Sequence, residues 1–524
     1  MVWRASDPQG NESGKIKWEL VPYTRGRVLD VGCGQHKPFG HFIGVDNNTD
    51  AHLFGIACTP DICMDADNLD LIADGSMDAV YSSHTLEHMV DPKAVLKEWW
   101  KKIKVGGYLC LYLPHKDFYP NIGTDGANKD HKWDFLPDDV IKLMEFASWD
   151  LVRNEDRNEG NEYSFFQVYK KLQGTRKHYS YREPKPAKTC GIVRYGAFGD
   201  LLQLSSVVRG LKEQGYHITL HTSPPGSAVI EHDPNIDRIV LQDKDQVPNL
   251  QLGDFWQSLR GKYDKFINLS ESCEGSLLAL PGRTPHHWAP LARHKFLNRN
   301  YMETQHDMAG VPHNLRIKFY PTKDEVEWAK KERKKFGKFT IMWALAGSGV
   351  HKTWPHVDAV IANLMLSYRD VDVVLVGDAF CKILEGGWEN EPRVHCRSAV
   401  WTIRETLTMA QNMDMVIGPE TGVLNAVSCL SIPKVVFLSH STVENLTRDW
   451  VNTTSLWAKN TNCKGRGKNE APACHMMHYN WQNCDRVPDG EPGAGTAVCQ
   501  AEISPTEVLE AVEAAYRKVE LVAA

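Results

Sequence analysis

The chain has 524 residues, of which 42% are hydrophobic and 24% charged, with a formal net charge of −6. A length of this size exceeds one hydrophobic core and implies about three or four domains. The negative balance removes any global basic field that would coat a polyanion, leaving room only for a local basic groove.

No apolar run approaches the roughly 20 residues of a membrane span, and the first fifteen residues lack the apolar stretch of a secretory signal. The expected compartment is therefore the cytosol, of a bacterial cell or of a virus-infected host. Most of the 13 cysteines are expected as reduced thiols.

Residues 1–173 alternate strand and helix patterns. Strands are predicted at Val28–Val31, Phe42–Asp46, Ala79–Ser82 and Tyr108–Leu113, and helices at Asp91–Lys104 and Pro137–Glu145. Such alternation implies a mostly parallel, doubly wound sheet with its ligand at the carboxyl ends of the strands. Asp30, Gly32 and Gly34 fall at the end of the first strand, and glycine there lets backbone approach a ligand without a Cβ between. Asp46 closes the second strand, where a carboxylate can accept from two ribose hydroxyls. Asp65 follows a third short apolar segment and is placed to border an adenine. The glycine string is not a dinucleotide fingerprint, because Lys37 stands where the third glycine belongs.

The strings VLDVGCG (28–34), GVD (44–46), DAVYSSHTLEHMVDP (78–92), VGGYLCLYLPH (105–115) and HKWDFLPDDVIKLM (131–144) together resemble the class I S-adenosylmethionine-dependent methyltransferases. The resemblance implies that Asp30, Gly32 and Gly34 cradle the methionine part of S-adenosylmethionine. It also implies that Asp46 holds the ribose, that Asp65 lies by the adenine, and that Ser83 and His84 lie near the sulfonium. His84, His88 and His115 are the near-neutral bases available to take the acceptor's proton. For each of the three, a purely structural role is the competing reading. Cys33 reads as a packing residue, and Cys58 and Cys63 lack a second ligand pair.

Residues 174–188 are basic, carry Pro184 and Pro186, and read as a linker. Two further α/β patterns follow, over 189–325 and 326–524. The first has strands beginning at Ile192, Ile218, Arg238 and Lys265. The second has strands at Phe339–Ala344, Val371–Val376, Met415–Ile417 and Lys434–Leu438, with a largely helical, charged stretch over 293–335 between the two patterns. Two Rossmann-like halves of this kind enclose a cleft.

Asp200 begins the amphipathic segment Leu201–Gln214 and, taken alone, reads as a helix cap. Lys352 lies in Gly-Ser-Gly-Val-His-Lys-Thr-Trp-Pro (347–355), which is not a Walker loop because His351 precedes the lysine. It can still offer amides and one ammonium to a diphosphate. Gly418 to Asn425 also sits between a strand and a helix, a position suited to an anion. Asn445 to Arg448, in the next such loop, can border the base or sugar.

This combination resembles the ADP-heptose–lipopolysaccharide heptosyltransferases, a family of GT-B glycosyltransferases, over about 190–515. The resemblance implies that Asp200 is the general base, that Lys352 steadies the donor diphosphate, and that Thr421 and Gly422 form the phosphate turn. Glu420 stands where the family has aspartate and Asn425 where it commonly has histidine; both positions touch the donor in the family. The fold class expected for the whole chain is thus α/β, one Rossmann-like methyltransferase domain followed by a GT-B pair. The activity expected is methyl transfer plus sugar transfer from a nucleotide-diphosphate sugar, with no catalytic metal. The acceptor is a glycan, a glycoprotein or a modified nucleobase.

Two rival readings stay open. In one, the second half only binds a glycan or nucleotide; in the other, neither site turns over. An insertion over 463–500 holds Cys463, Cys474 and Cys484, with Cys499 just before its end. No close Cys-x-x-Cys pair occurs among them, and buried thiols, a structural metal and disulfides all remain open. Ser504–Val519 reads as a closing helix.

Overall fold

Strand-forming apolar runs separated by short helices build three sheets in the computed structural model, which describes residues 11–51, 57–270, 288, 289, 292, 295, 296, 298–459 and 496–523. Two compact units result: one of residues 1–186 with 242–249, the other of 187–241 with 250–524.

The first unit holds eight strands: β1 (Val28–Val31), β2 (Ile43–Asp46), β3 (Ile62–Cys63), β4 (Met77–Ser83), β5 (Ile103–Pro114), β6 (Trp149–Arg157), β7 (Ser164–Lys171) and β8 (Lys177–His178). Their order is β3-β2-β1-β4-β5-β7-β6-β8. β1 to β5 run parallel, while β7 is antiparallel to β5 and β6. The register aligns Val31 with Val45 and with Ser82, so Gly32, Asp46 and Ser83 come level at one edge of the sheet. Residues 177 and 178, read from sequence as linker, instead pair with Trp149 and Asp150 as an edge strand. Their charged composition hid this, because an edge strand needs only backbone partners.

The helix Pro92–Lys102 starts where Asp91 Oδ1 accepts from Ala94 N at 3.0 Å. It buries Val95, Leu96, Trp99 and Trp100 against the sheet. Side chains of this size contribute about 1.5–3 kcal/mol each on full burial.

The second unit carries β9 (Thr189–Val193), β10 (His217–Thr222), β11 (Arg238–Leu241) and β12 (Lys265–Asn268) in a parallel sheet ordered β11-β10-β9-β12. A six-stranded parallel sheet follows: β13 (Phe339–Ala344), β14 (Val371–Val376), β15 (Val394–Cys396), β16 (Met415–Pro419), β17 (Lys434–Phe437) and β18 (Thr453–Leu456). Its order is β15-β14-β13-β16-β17-β18. These are two Rossmann-like halves, as in the GT-B class.

Strands buried on both faces read as near-continuous apolar runs, and β13, β14 and β16 are buried at every position, Thr340 and Asp372 included. The helix Phe198–Glu213 after β9 buries Leu201, Leu202, Leu204, Val207, Val208 and Leu211. Among the described residues, the stretch 293–335 holds helices Tyr301–Ala309 and Lys323–Arg333, residues 295 and 296 are helical as well, and the segment between the two helices is irregular. Asn445 lies in a π-helical turn, Val443–Thr447, rather than a loop. The closing helix spans Pro505–Ala523.

Candidate functional site

In the first unit the glycine turn after β1 forms an open cradle. Gly32 and Gly34 have φ of +74° and +53°, values that disfavour side chains. A Cβ on Gly32 would strike Thr85 Oγ1 at 2.1 Å, whereas nothing lies within 4 Å of one on Gly34. Gly32 is required by packing and Gly34 faces space that a ligand can occupy.

Asp46 accepts from Gly34 N and from Asn48 N, both at 2.9 Å, which ties β2 to the glycine turn. Asp30 is buried, with Oδ2 lacking a hydrogen-bond partner. Burial pushes its carboxyl well above the usual range, against the opposing pull of Lys37. Asp65 is exposed and accepts from Asn47 Nδ2 at 2.6 Å. The orphaned Asp30 oxygen and the open Gly34 fit a ligand with polar and cationic parts, as S-adenosylmethionine has.

Ser83 ends β4, and His84 follows with φ +49°. His84 Nε2 is 2.8 Å from Ser164 Oγ, and burial drives its basicity well down. His115 Nδ1 accepts from Asp117 N at 3.1 Å, so that nitrogen's lone pair is already used. Its ring stacks on Phe118 with centroids 4.1 Å apart. Of the three histidines read from sequence as bases, His84 and His115 are thus held in hydrogen bonds within the unit. Spacing along the chain carries no signal of this.

Glu87, which the motif reading passed over, is fully buried with neither carboxylate oxygen hydrogen-bonded. Burial raises its carboxyl to about 8. Next to it, burial lowers the His88 imidazole and takes that of His131 down to about 4.

In the second unit Asp200 sits in the first turn of the helix Phe198–Glu213. Its Oδ2 accepts from Ala197 N at 2.7 Å, the capping contact expected of this position. Its Oδ1 lies 3.3 Å from Arg194 Nη2, on a guanidinium with no solvent exposure. Gly196 permits this approach, since a Cβ there would come 2.5 Å from Asp200 Oδ2.

The two halves meet through glycines. A Cβ on Gly422 would lie 2.6 Å from Phe198 Cβ, and one on Gly199 would lie 3.0 Å from Asn425 Nδ2. Asp200 is therefore brought to the Thr421–Gly422 turn from more than two hundred positions away. Lys352 Nζ donates to Glu420 O at 3.0 Å, joining the third expected donor residue to the same turn.

Glu420 is buried and accepts from Ser439 N and His440 N, both at 3.1 Å, and from Ser439 Oγ. His440 Nδ1 is 2.9 Å away. Although burial opposes ionisation, His440, Lys352 and Ser439 together hold the Glu420 carboxyl well below its ordinary range. Thr421 Oγ1 and Glu420 Oε2 are buried without hydrogen-bond partners among the described residues. His351 is buried with its ring 5.3 Å from that of His440, and burial pulls its imidazole down to about 3.

Asn425 turns away from this group. It donates to Thr421 O at 2.8 Å and accepts from Gln203 Nε2 at 3.3 Å, while Gln305 Nε2 donates to Gln203 Oε1 at 3.0 Å. Arg194 and His440 were missed in the sequence. Arg194 ends an apolar strand, an unusual place for a charge, and that was the available signal. Cys463, Cys474 and Cys484 lie outside the described residues, and Cys499 is half-buried on the helix Val498–Ala501.

Residues 29–111 match the methyltransferase domain family. No curated protein sequence matches the chain. The ADP-heptose lipopolysaccharide heptosyltransferase II of E. coli is similar in structure at 15% identity. It covers 64% of this chain and 99% of its own, with a TM-score of 0.45. A family 9 glycosyl transferase from Veillonella parvula gives 14% identity, 63% and 98% coverage, and a TM-score of 0.44. A SAM-dependent methyltransferase from Thermotoga maritima gives 20% identity, 31% and 91% coverage, and a TM-score of 0.24.

Proposed function

We propose that the chain is a two-site transferase of the cytosol, moving a methyl group from S-adenosylmethionine in its first unit and a sugar from a nucleotide diphosphate in its second. The first assignment rests on the match over residues 29–111 and on the open cradle at Gly34, walled by Asp30 and Asp46. The second is carried by one observation, the meeting of Asp200 with the Thr421–Gly422 turn through Gly199 and Gly422.

In this reading Asp200 takes the proton of an acceptor hydroxyl as that oxygen attacks the sugar carbon. Arg194 holds and aims the carboxylate. The Lys352 ammonium and the amides at Thr421 and Gly422 stabilise the departing diphosphate. The acceptor is a glycan or another hydroxyl-bearing molecule. In the first unit Asp46 positions the ribose and Asp65 borders the adenine, while Ser83 and His84 lie toward the sulfonium.

A second reading has its own support. Asn425 and Glu420 spend their side chains on Gln203 and His440, as residues of a unit that only binds a nucleotide or glycan would.

Thermal unfolding of the full chain with S-adenosylhomocysteine, and separately with UDP, ADP, GDP, CDP and dTDP, tests the proposal. A ligand at one hundred times its Kd adds about 2.7 kcal/mol to what binds it. Stabilisation by S-adenosylhomocysteine and by one nucleotide is expected. No response to any nucleotide refutes the sugar-transfer assignment, and no response to S-adenosylhomocysteine refutes the other.

A further inference from the structure

Three side chains with metal-ligand chemistry converge in the first unit, beyond the carboxyl end of β4. Glu87 and His88 lie on the 3-10 turn Leu86–His88, and His131 arrives from the segment before the helix Pro137–Leu143. One ligand atom from each lies within 4.8 Å of the other two. His131 Nε2 is 3.8 Å from Glu87 Oε1, and His88 Nε2 is 4.0 Å from the same oxygen. The backbone locks the arrangement from below, since Lys132 N and Trp133 N both donate to Glu87 O, at 2.8 and 3.2 Å.

Two features of the cluster point to a cation. Glu87 has no exposed surface, yet neither of its carboxylate oxygens has a hydrogen-bond partner among the described residues. A buried carboxylate is normally satisfied by donors or by a positive charge. Secondly, His88 Nδ1 lies 3.2 Å from Asp130 O. A carbonyl can only accept, so Nδ1 carries the proton and Nε2, the nitrogen toward Glu87, carries the lone pair. A backbone carbonyl fixing the far nitrogen is the usual support of a metal-bound imidazole.

We infer that Glu87, His88 and His131 form a binding site for one divalent transition-metal cation. Two imidazoles and one carboxylate are a donor set for zinc, manganese, iron or cobalt rather than for calcium. Bonds of about 2.0–2.2 Å place tetrahedral ligand atoms roughly 3.3–3.6 Å apart, so ligand atoms that now lie within 4.8 Å of one another draw together by up to about 1.5 Å around the ion. Three protein ligands leave coordination positions for water or another oxygen. His84 Nδ1, 3.9 Å from Glu87 Oε1, is the next nitrogen in reach. From the sequence no catalytic metal is expected and no ligand is named among these residues, which come together only when residue 131 folds over Leu-Glu-His.

The test is titration of the chelator-treated full-length chain with Co2+ alone, followed by its visible absorption and by the thermal unfolding midpoint. Wild type is expected to bind one equivalent of Co2+ with nitrogen–oxygen ligand-field bands, and to gain stability from it. Glu87→Gln and His131→Ala should each weaken that equivalent at least tenfold. Both should keep the stabilisation by S-adenosylhomocysteine seen in wild type, which separates loss of the cation from damage to the cofactor cradle. If Glu87→Gln does not fold, His131→Ala and His88→Asn decide by the same readout. Equal Co2+ binding by wild type and variants overturns the assignment. So does a wild-type spectrum made only of thiolate charge-transfer bands, which would place the ion on cysteines.

Discussion

Arg194 Nη2 lies 3.3 Å from Asp200 Oδ1, a fully buried cation set against the carboxylate that begins the next helix. The proposed sugar transfer needs that carboxylate held in place, and Arg194 and the Ala197 amide each take one of its oxygens. Asp200→Asn is expected to lower sugar transfer by about 10²–10⁴-fold, the range for loss of a general base. Arg194→Met should act more mildly, lowering the rate while leaving affinity for the nucleotide unchanged. Nucleotide release from the responding sugar donor is the measurement. A wild-type rate in Arg194→Met would remove the positioning role, and full activity in Asp200→Asn would remove the base.

The close contact of the two halves predicts an asymmetry between glycines. Gly422→Ala drives a methyl to 2.6 Å from Phe198 Cβ and should destabilise by about 1–3 kcal/mol, the cost of overpacking. Gly261 has φ −76° and open space around the same added atom. Gly261→Ala should be neutral or stabilise by up to about 1 kcal/mol. Denaturant midpoints of the two variants decide, and equal values would contradict the packing.

Asp46 offers a third prediction. Its two oxygens accept from Gly34 N and Asn48 N, so Asp46→Ala frees both amides and loosens the glycine turn. Affinity for S-adenosylhomocysteine should fall at least tenfold, about 1.4 kcal/mol. Calorimetric titration measures it, and wild-type affinity would exclude Asp46 from the cofactor site.

The pH dependence of stability should carry a signature of His221. This imidazole is buried with Nε2 2.8 Å from Tyr263 Oη, and burial lowers its pKa from 6.5 to about 3. Below pH 6.5 the unfolded chain takes up a proton that the folded chain refuses until about pH 3. Stability from this group is therefore full above 6.5 and falls as pH drops through that window. Between pH 7 and pH 5 the loss is about 2 kcal/mol. Wild type should lose that much more than His221→Gln over the same interval in chemical unfolding. Parallel losses would show that His221 takes its proton as readily folded as unfolded.

What the chain order alone determined is what repeats locally. Runs at 28–31, 339–344 and 371–376, apolar but for Asp30, Thr340 and Asp372, were legible as buried strands, because parallel sheets covered on both faces favour near-continuous hydrophobic sequence. Asp200 at a helix start and the glycine turn at 32–34 were legible for the same reason, since a cap and a positive φ are each set by a few neighbouring residues.

Tertiary structure alone decided the contacts between distant segments. Phe198 and Gly422 meet, His440 reaches Glu420, Gln203 takes up Asn425, and His131 closes over Glu87 and His88. Spacing could not report that His115 had spent a lone pair on Asp117 N, or that a charged stretch at 177–178 would pair as an edge strand. A side chain's chemistry depends on its burial and its partners. Both are properties of the folded chain, because burial changes the cost of charge and the partners come from elsewhere in the sequence.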